Sequence, residues 1–262
     1  MKARLWFALN SLLVLTGLLA AWHFAVLLLK IPPYILPGPL AVAKAVVHRF
    51  ADLAQSLWLT TEAAAVGLAC SVVVGVAIAL VFAQWRWLRG LFFPYTILLQ
   101  TVPIVAIAPL IIMWAGSGVS SVAIITFIIC LPPVIANTTQ GLISVDRNLI
   151  DLFLMHKATR AQVLFKLRLP HALPNLFVGV RISAGIAVVG SIIGELFASS
   201  SRVGVGGLGY SITYAYAQLE IDYLFALVAA ATVLGFAFFF LVMFLEWWFL
   251  HNWHESGLGT RE

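Results

Sequence analysis

A polar segment between two long apolar stretches holds the residues best suited to contact molecules in water. It runs from Asp146 to Pro174 and contains five of the chain's fifteen lysine and arginine residues. Because a mostly apolar chain keeps few charges, this density predicts either a docking surface for a soluble partner or contact with lipid phosphates. The five basic residues are Arg147, Lys157, Arg160, Lys166 and Arg168.

Within this segment, residue spacing predicts two short helices. Leu149, Leu152 and Phe153 share one helical face, at i, i+3 and i+4. Thr159 and Gln162 then fit a capping box, in which each residue satisfies a free amide of the other. The capping box predicts that a second helix opens immediately after Thr159.

The second helix is expected to run from Arg160 toward Arg168. Pro170 and Pro174 follow it, and proline lacks the amide proton that a continuing helix needs. We therefore expect the second helix to end before the next apolar stretch begins.

Among the ionisable side chains inside apolar stretches, Glu62, Arg181 and Glu195 stand out. Charges in such positions are costly, and they are usually either paired or functional. The functional interpretation makes Glu62 or Glu195 part of a polar gate or solute pathway. The structural alternative gives each charge a neighbouring partner, and we favour that alternative for Arg181.

The elements that position these residues follow from composition. Hydrophobic residues make up 63% of the chain and charged residues only 10%, which is typical of a polytopic membrane protein and excludes an ordinary soluble domain. The formal charge of +5 reflects the placement of basic residues in cytoplasmic loops and does not indicate nucleic-acid binding. We expect one all-α transmembrane domain over residues 1–262, with about six spans near 5–29, 57–83, 90–114, 119–143, 174–198 and 222–250.

Orientation follows from the basic residues. With the N-terminus inside, ten of the fifteen lysines and arginines fall in cytoplasmic regions and four in outside loops. This asymmetry predicts that both termini and the 146–174 segment are cytoplasmic.

Proline and glycine predict local features of the spans. The proline-rich run 31–39 cannot be helical, and an amphipathic pattern over Leu40–Leu53 predicts a helix at the interface. Pro103 is expected to kink the third span and to free carbonyl groups toward a pathway. Gly190 and Gly194 form a small-xxx-small pair, for which close helix packing is the favoured role.

The residues that start at Asp151 resemble the cytoplasmic signature of ABC-importer permease subunits. That signature reads Glu-Ala-Ala, three residues, Gly, nine residues, and Ile-x-Leu-Pro. Asp151-Leu-Phe stands in the Glu-Ala-Ala place, Lys157 in the glycine place and Leu167-Arg-Leu-Pro170 in the last place. The spacing is kept, but the acid is shorter, both alanines are bulky residues and the glycine is a lysine.

Other segments resemble the branch of these permeases that serves nitrate, sulfonate, taurine and thiamine-precursor-like solutes. They are Leu36-Pro-Gly-Pro39, the run 100–109, Asn137-Thr-Thr-Gln-Gly141 and Gly206-Gly-Leu-Gly-Tyr210. The resemblance extends from about residue 36 to 250. The residues around Thr60 and Gln100 look closer to the thiamine-precursor and riboflavin members.

The resemblance implies a type I importer permease fold in a bacterial inner membrane. It also implies two ATP-binding subunits that carry ATP and Mg, a second and identical permease copy, and an extracytoplasmic solute-binding protein. This chain itself is then expected not to be an enzyme, to bind no cofactor, metal or nucleic acid, and to be in contact with membrane lipid. The implied coupling residues are Asp151, Leu152, Phe153, Met155, His156, Lys157, Arg160, Leu169 and Pro170, and our pathway candidates are Glu62, Pro103 and Glu195.

Lys157 is the departure from the signature with the clearest structural consequence. Glycine permits a tight turn with positive φ, whereas lysine is strained there. Either the turn is reshaped, or the partner subunit has adjusted to it.

A secondary transporter and an intramembrane enzyme are the two alternative classes of membrane protein. A secondary transporter also places polar residues in broken helices, but it usually shows internal repeats, and none is clear here. An intramembrane enzyme needs a nucleophile with a base, or metal ligands at mid-membrane depth, and the sequence offers no such constellation. The secondary transporter stays open as the alternative function.

Overall fold

The computed structural model describes residues 2–198 and 206–251, and every regular element in these ranges is helical. The helices succeed one another with short connections, which is the pattern of an antiparallel bundle. In chain order they are α1 (Lys2–Leu28), α2 (Pro39–His48), α3 (Phe50–Gln84), α4 (Arg86–Leu98), α5 (Ile104–Ala115), α6 (Val119–Ile143), α7 (Arg147–Met155), α8 (Arg160–Val163), α9 (Leu169–Phe197), α10 (Leu208–Ala217) and α11 (Ile221–Leu250).

Four of the described helices are long and apolar enough to cross a membrane: α3, α6, the continuous run Arg160–Phe197 and α11. The pair α4 and α5 adds a fifth if it counts as one broken span. Helix α1 has 27 residues, or about 40 Å, although its described side chains give an apolar stretch only over Leu13–Leu28. The predicted all-α, multi-span architecture is therefore present.

The third predicted span, 90–114, is wrong as a single helix. A 3₁₀ turn over Leu99–Thr101 follows α4, and the chain then bends by 98° before α5. Val102 is extended, with φ −69° and ψ 122°, because the ring of the next residue, Pro103, disfavours the helical region there. The kink predicted at Pro103 is thus a full break.

Two other predicted boundaries differ from the structure. The interfacial helix ends at His48, and Phe50 already begins α3, because Arg49 leaves helical geometry with φ −114° and ψ 31°. Pro170 and Pro174 do not end a helix. A π-helical turn over Leu164–Arg168 joins α8 to α9, and its wider backbone accommodates the pyrrolidine ring that a regular turn rejects.

Helix α6 forms the centre of the bundle and packs most extensively against α3 and α9. A Cβ atom on Gly190 would lie 2.8 Å from Ile129 Cγ2, so only glycine permits this approach of α9 to α6. The hydroxyls of Thr126 and Ser191 are 2.8 Å apart across the same contact. The packing role predicted for Gly190 is confirmed.

The two ends of the bundle carry different elements. At one end, here called the basal end, α7 and α8 lie beside the end of α3, where Arg168 Nη1 donates to the Ala83 carbonyl at 2.9 Å. At the other end, the apical end, α2 and the start of α3 meet α10 and the start of α11, and the hydroxyls of Ser56 and Ser211 are 2.7 Å apart.

Candidate functional site

Helix α7 at the basal end begins with a side-chain cap. Asp146 Oδ1 accepts a hydrogen bond from the Asn148 amide at 2.9 Å, which satisfies one free N–H of the first turn. No residue of α7 is buried. Its apolar side chains are left open to the surroundings: Leu149 is 45% exposed, Leu152 49%, Leu154 54% and Met155 81%.

The turn that ends α7 has a defined geometry. Lys157 adopts φ +56°, its amide donates to Leu154 O at 2.9 Å, and the Ala158 amide donates to Phe153 O at 3.0 Å. These two bonds are those of a Schellman motif, in which a left-handed residue ends the helix. Lysine therefore adopts the conformation that glycine would favour, and the turn is retained without reshaping.

The capping box predicted after this turn is confirmed. The Thr159 amide donates to Gln162 Oε1 at 2.8 Å, and the Gln162 amide donates to Thr159 Oγ1 at 3.3 Å. Helix α7 is thus fixed by local hydrogen bonds without a fully buried residue, whereas α8 adds buried Val163 to its capping box.

The residues implied in coupling fall into three places. Leu152, Phe153 and His156 line one open cavity of about 330 Å³ together with part of α8. Asp151, Met155 and Lys157 are exposed around it. Arg160 lines a second cavity nearer the end of α3, whereas Leu169 and Pro170 are half-buried at the start of α9.

Glu195 lies in the interior at the apical end, only 6% exposed. Its Oε2 accepts hydrogen bonds from Thr60 Oγ1 at 3.0 Å and from the Gly209 amide at 2.8 Å. Thr60 Oγ1 in turn accepts from the Leu208 amide at 2.8 Å. The side chains of α3 and α9 together satisfy two free amides in the first turn of α10.

This arrangement fixes the position of α10. A side chain on Gly207 would collide with the Glu195 carboxylate, so the glycine-rich segment lets the backbone approach the acid directly. A carboxylate at a helix N-terminus is also stabilised by the helix dipole. Sequence reasoning singled out Glu195 and the glycine-rich segment separately, but it missed Thr60 and the contact that joins them.

Glu62 and Pro103, the other two pathway candidates, do not join Glu195. Glu62 is exposed on the face of α3 opposite buried Thr60, and the ion pairs found among the described residues do not include it. Pro103 is exposed at the break between α4 and α5, beside the exposed polar residues Gln100 and Thr101. Both lie on surfaces that this chain leaves uncovered.

Arg181 has an acidic partner. Its guanidinium forms an ion pair with Glu246 across α9 and α11. Both side chains are largely shielded, at 32% and 22% exposed. The structural role favoured for Arg181 is therefore confirmed, with a partner that the sequence did not suggest.

A second ion-pair cluster closes the apical end. Arg49 pairs with Asp52 at 3.1 Å and with Glu220, and its guanidinium carbon lies 3.9 Å from the centre of the Tyr223 ring. Burial alone lowers the pKa of Arg49, but the Asp52 hydrogen bond and the Glu220 charge raise that pKa above its ordinary value. The cluster ties the α2–α3 junction to the start of α11.

Within residues 2–198 and 206–251, no group of three or more histidine, cysteine or acidic residues has the arrangement to hold a metal ion. The arrangement of the chain is therefore that of a membrane bundle with one exposed helical surface at its basal end and one closed hydrogen-bonded network at its apical end.

Comparison with known proteins gives consistent matches. Residues 71–250 match the family described as "Binding-protein-dependent transport system inner membrane component". The chain is 30% identical to the formylaminopyrimidine transport permease protein ThiX of Halalkalibacterium halodurans, over 91% of this chain and 94% of that protein. It is 33% identical to the riboflavin transport system permease protein RibX of Chloroflexus aurantiacus, over 92% and 89% of the two chains.

The fold matches a solved structure as well. A chain in the structure titled inward-facing conformations of the MetNI methionine ABC transporter aligns with a TM-score of 0.63 and 19% identity, over 76% of this chain and 96% of that one. At this identity the likeness shows the fold alone, and the predicted permease fold is confirmed.

Proposed function

This chain belongs to the family of binding-protein-dependent transport system inner membrane components, and on that premise we propose how it is oriented and what it contacts. It is the transmembrane permease subunit of an ABC importer, a multi-pass protein of the inner membrane. The basal end and both termini face the cytoplasm. A second copy of the chain completes the translocation pathway. The distribution of basic residues supports this orientation.

We also propose that α7 couples this chain to an ATP-binding subunit, and the observation that carries this proposal is the exposure of α7. The chain holds this short helix by an Asp146 cap, a Schellman turn and a capping box, yet it buries none of the helix's residues. An amphipathic helix with exposed apolar residues fits a groove on a partner protein. The partner is an ATP-binding subunit, one for each of two permease copies, which binds ATP and Mg and hydrolyses ATP.

Motion of that partner is transmitted through α7 to the spans. ATP shifts the permease between two arrangements only if the partner contacts α7 differently in each. Asp151 supplies an acceptor on the exposed surface and Met155 supplies the most exposed apolar side chain. This chain contributes no catalytic residue and binds no cofactor of its own.

The pathway is bounded by surfaces that one copy leaves uncovered. Glu62 on α3 and the polar break before Pro103 both lie on such surfaces, and a second copy packed against them would enclose polar groups within the membrane. Glu195 acts instead as a positioning residue that holds α10 at the apical end, where an extracytoplasmic solute-binding protein delivers its ligand.

The solute we propose is a small heterocycle of the thiamine-precursor or riboflavin type. Support comes from two relatives of at least 30% identity that are named for formylaminopyrimidine and riboflavin transport. The choice of solute is tested by the uptake of labelled formylaminopyrimidine, riboflavin and taurine into proteoliposomes that contain ATP and the full transporter. Preferential uptake of taurine would contradict it.

Co-purification with a candidate ATP-binding subunit tests the function itself. We expect the native chain to form a complex with ATPase activity, and Asp151→Lys to disrupt it. Lys44→Asp at the apical end is the matched charge reversal and should leave assembly intact. A stable chain that transports solute without any ATP-binding subunit would favour a secondary transporter instead.

A further inference from the structure

The second basal cavity has a lining that the coupling surface does not explain. It measures about 200 Å³ and lies between α7, α8 and the end of α3. Arg160, Arg168 and Gln84 supply polar groups to it, whereas Ile150 and Leu154 supply apolar surface from α7. Because one water takes about 30 Å³ in the liquid, the cavity has room for a phosphate-sized group.

The charge around this cavity is uncompensated by the chain. Arg168 donates through Nη1 to the Ala83 carbonyl, but its Nε is buried and has no hydrogen-bond partner. Arg89 lies close enough to act on Arg168 with a charge of the same sign. The ion pairs in the described part of the chain all lie elsewhere, at Arg49 and Arg181.

Two guanidinium groups line one cavity and take part in none of the ion pairs of the described residues, so the cavity favours an anion. Guanidinium groups are especially suited to phosphate oxygens. Phosphate is therefore the shared chemistry of the ligands that would fit, whether the phosphate is free or carried by a lipid.

Two further observations favour a lipid as the source. Trp85 and Trp87, which flank the turn between α3 and α4, are 48% and 67% exposed. Exposed tryptophans are typical of the headgroup level of a membrane. The cavity also joins charged and apolar walls, which suits an amphiphile better than a small hydrophilic ion.

We propose that this cavity binds the phosphate headgroup of an anionic phospholipid. The guanidinium groups of Arg160 and Arg168 donate to phosphate oxygens, the Gln84 amide donates to the headgroup, and the glycerol and first acyl carbons contact Ile150 and Leu154. Basic pockets at the cytoplasmic side of membrane helices are known to hold such headgroups.

The bound lipid would act on transport through α7. Ile150 and Leu154 belong to that helix, so the lipid would restrain a helix that the bundle itself leaves unburied. This regulatory consequence rests on the proposed function of α7, whereas lipid binding itself does not. Binding and ATPase activity must therefore be measured separately.

Binding is tested by native mass spectrometry of the full-length chain released from nanodiscs with equal phosphatidylglycerol and phosphatidylcholine. We expect preferential retention of one phosphatidylglycerol per chain, lowered about fivefold by Arg168→Gln and by Arg160→Gln, since one basic group near the surface contributes about that factor. Arg86→Gln is the matched control. Arg86 begins α4 at the same end of the bundle but does not line the cavity.

Three outcomes would overturn the proposal. These are equal retention of the two lipids, a loss in Arg86→Gln as large as that in Arg168→Gln, and displacement of the lipid by millimolar inorganic phosphate, which would identify a free-anion site. Because Arg168→Gln also removes the contact to Ala83, its helical content is checked by circular dichroism, and Arg160→Gln alone decides if that content falls. In the assembled transporter, phosphatidylglycerol should raise ATPase activity in the native chain more than in Arg168→Gln, which alters no residue assigned to coupling.

Discussion

The basal and apical ends of the bundle solve the same local problem in opposite ways. Each must fix a short helix outside the long spans. At the basal end, α7 is held by local caps and turns and stays unburied. At the apical end, α10 is held by the buried side chains of Glu195 and Thr60, and Thr60 lies 148 residues away in the sequence from the Leu208 amide that it binds.

The difference indicates where each surface finds its remaining contacts. A helix that buries nothing but keeps its shape is prepared for another protein, whereas a helix locked by a buried carboxylate already has its contacts within the chain. Movement between states is then expected to enter at the basal end and to meet resistance at the apical end.

The largest effect is expected from Leu152→Asp on α7. Leu152 is half-exposed and its backbone stays capped, so the folded chain should tolerate the acid. Loss of a central apolar contact should weaken binding of the ATP-binding subunit about thirtyfold, measured by surface plasmon resonance in nanodiscs. Leu40→Asp, the same substitution at a still more exposed leucine of the apical end, should change binding little. Equal losses in both variants would remove the distinction between the two ends.

The next effect is expected from Glu195→Ala at the apical end. The substitution leaves the Gly209 amide without its acceptor and removes one partner of Thr60, which should lower the free energy of unfolding by about 2 kcal/mol. Thermal unfolding of the solubilised chain measures it. Glu195→Gln keeps an acceptor oxygen and should lose less. An equal loss for Glu195→Gln would show that the charge, rather than the hydrogen bonds, holds α10.

A smaller effect is expected from the ion pair between Arg49 and Glu220. Both side chains are partly exposed, at 33% and 43%, and such pairs contribute about 0.5–1 kcal/mol. A double-mutant cycle with Arg49→Gln and Glu220→Gln, followed by thermal unfolding at low and high salt, would give this coupling. Coupling that is absent at low salt would mean that the cluster adds nothing to the closed apical end.

The smallest effect is expected from Lys157→Gly in the basal turn. Glycine removes the strain of φ +56° but loses more conformational entropy on folding, so a net gain of about 0.5 kcal/mol is expected. Lys157→Ala, which keeps the strain, should show no gain in the same unfolding measurement. Identical behaviour of the two variants would show that the turn carries no strain.

The contrast between local contacts at the basal end and long-range contacts at the apical end also explains which features the sequence could predict. The capping box at Thr159 was predictable because it obeys a rule that spans a few residues. The turn at Lys157 stayed open, since lysine stands where the rule asks for glycine. The network around Glu195 was not predictable, since Thr60 is 135 residues away from it and only the packing of α3 on α9 brings them together. The partner of Arg181 escaped prediction for the same reason, because Glu246 is 65 residues further along the chain.

Errors at the helix ends have a different physical origin. Proline rules predicted a kink at Pro103 and a helix end at Pro170. At Pro103 the helix breaks fully, because the preceding residue could become extended. The rules failed at Pro170, because a π turn over Leu164–Arg168 widened the backbone instead. A single sequence does not distinguish these two responses to the same ring.

The π turn also sets an angular register between the basal surface and the spans. A π turn holds one residue more than regular helical geometry, and each residue of an α-helix advances the chain by about 100° around the axis. Removing one residue from Leu164–Arg168 would therefore swing α7 about a quarter-turn around the α9 axis while leaving both helices intact. The length of this one turn therefore sets the direction in which α7 faces relative to the spans.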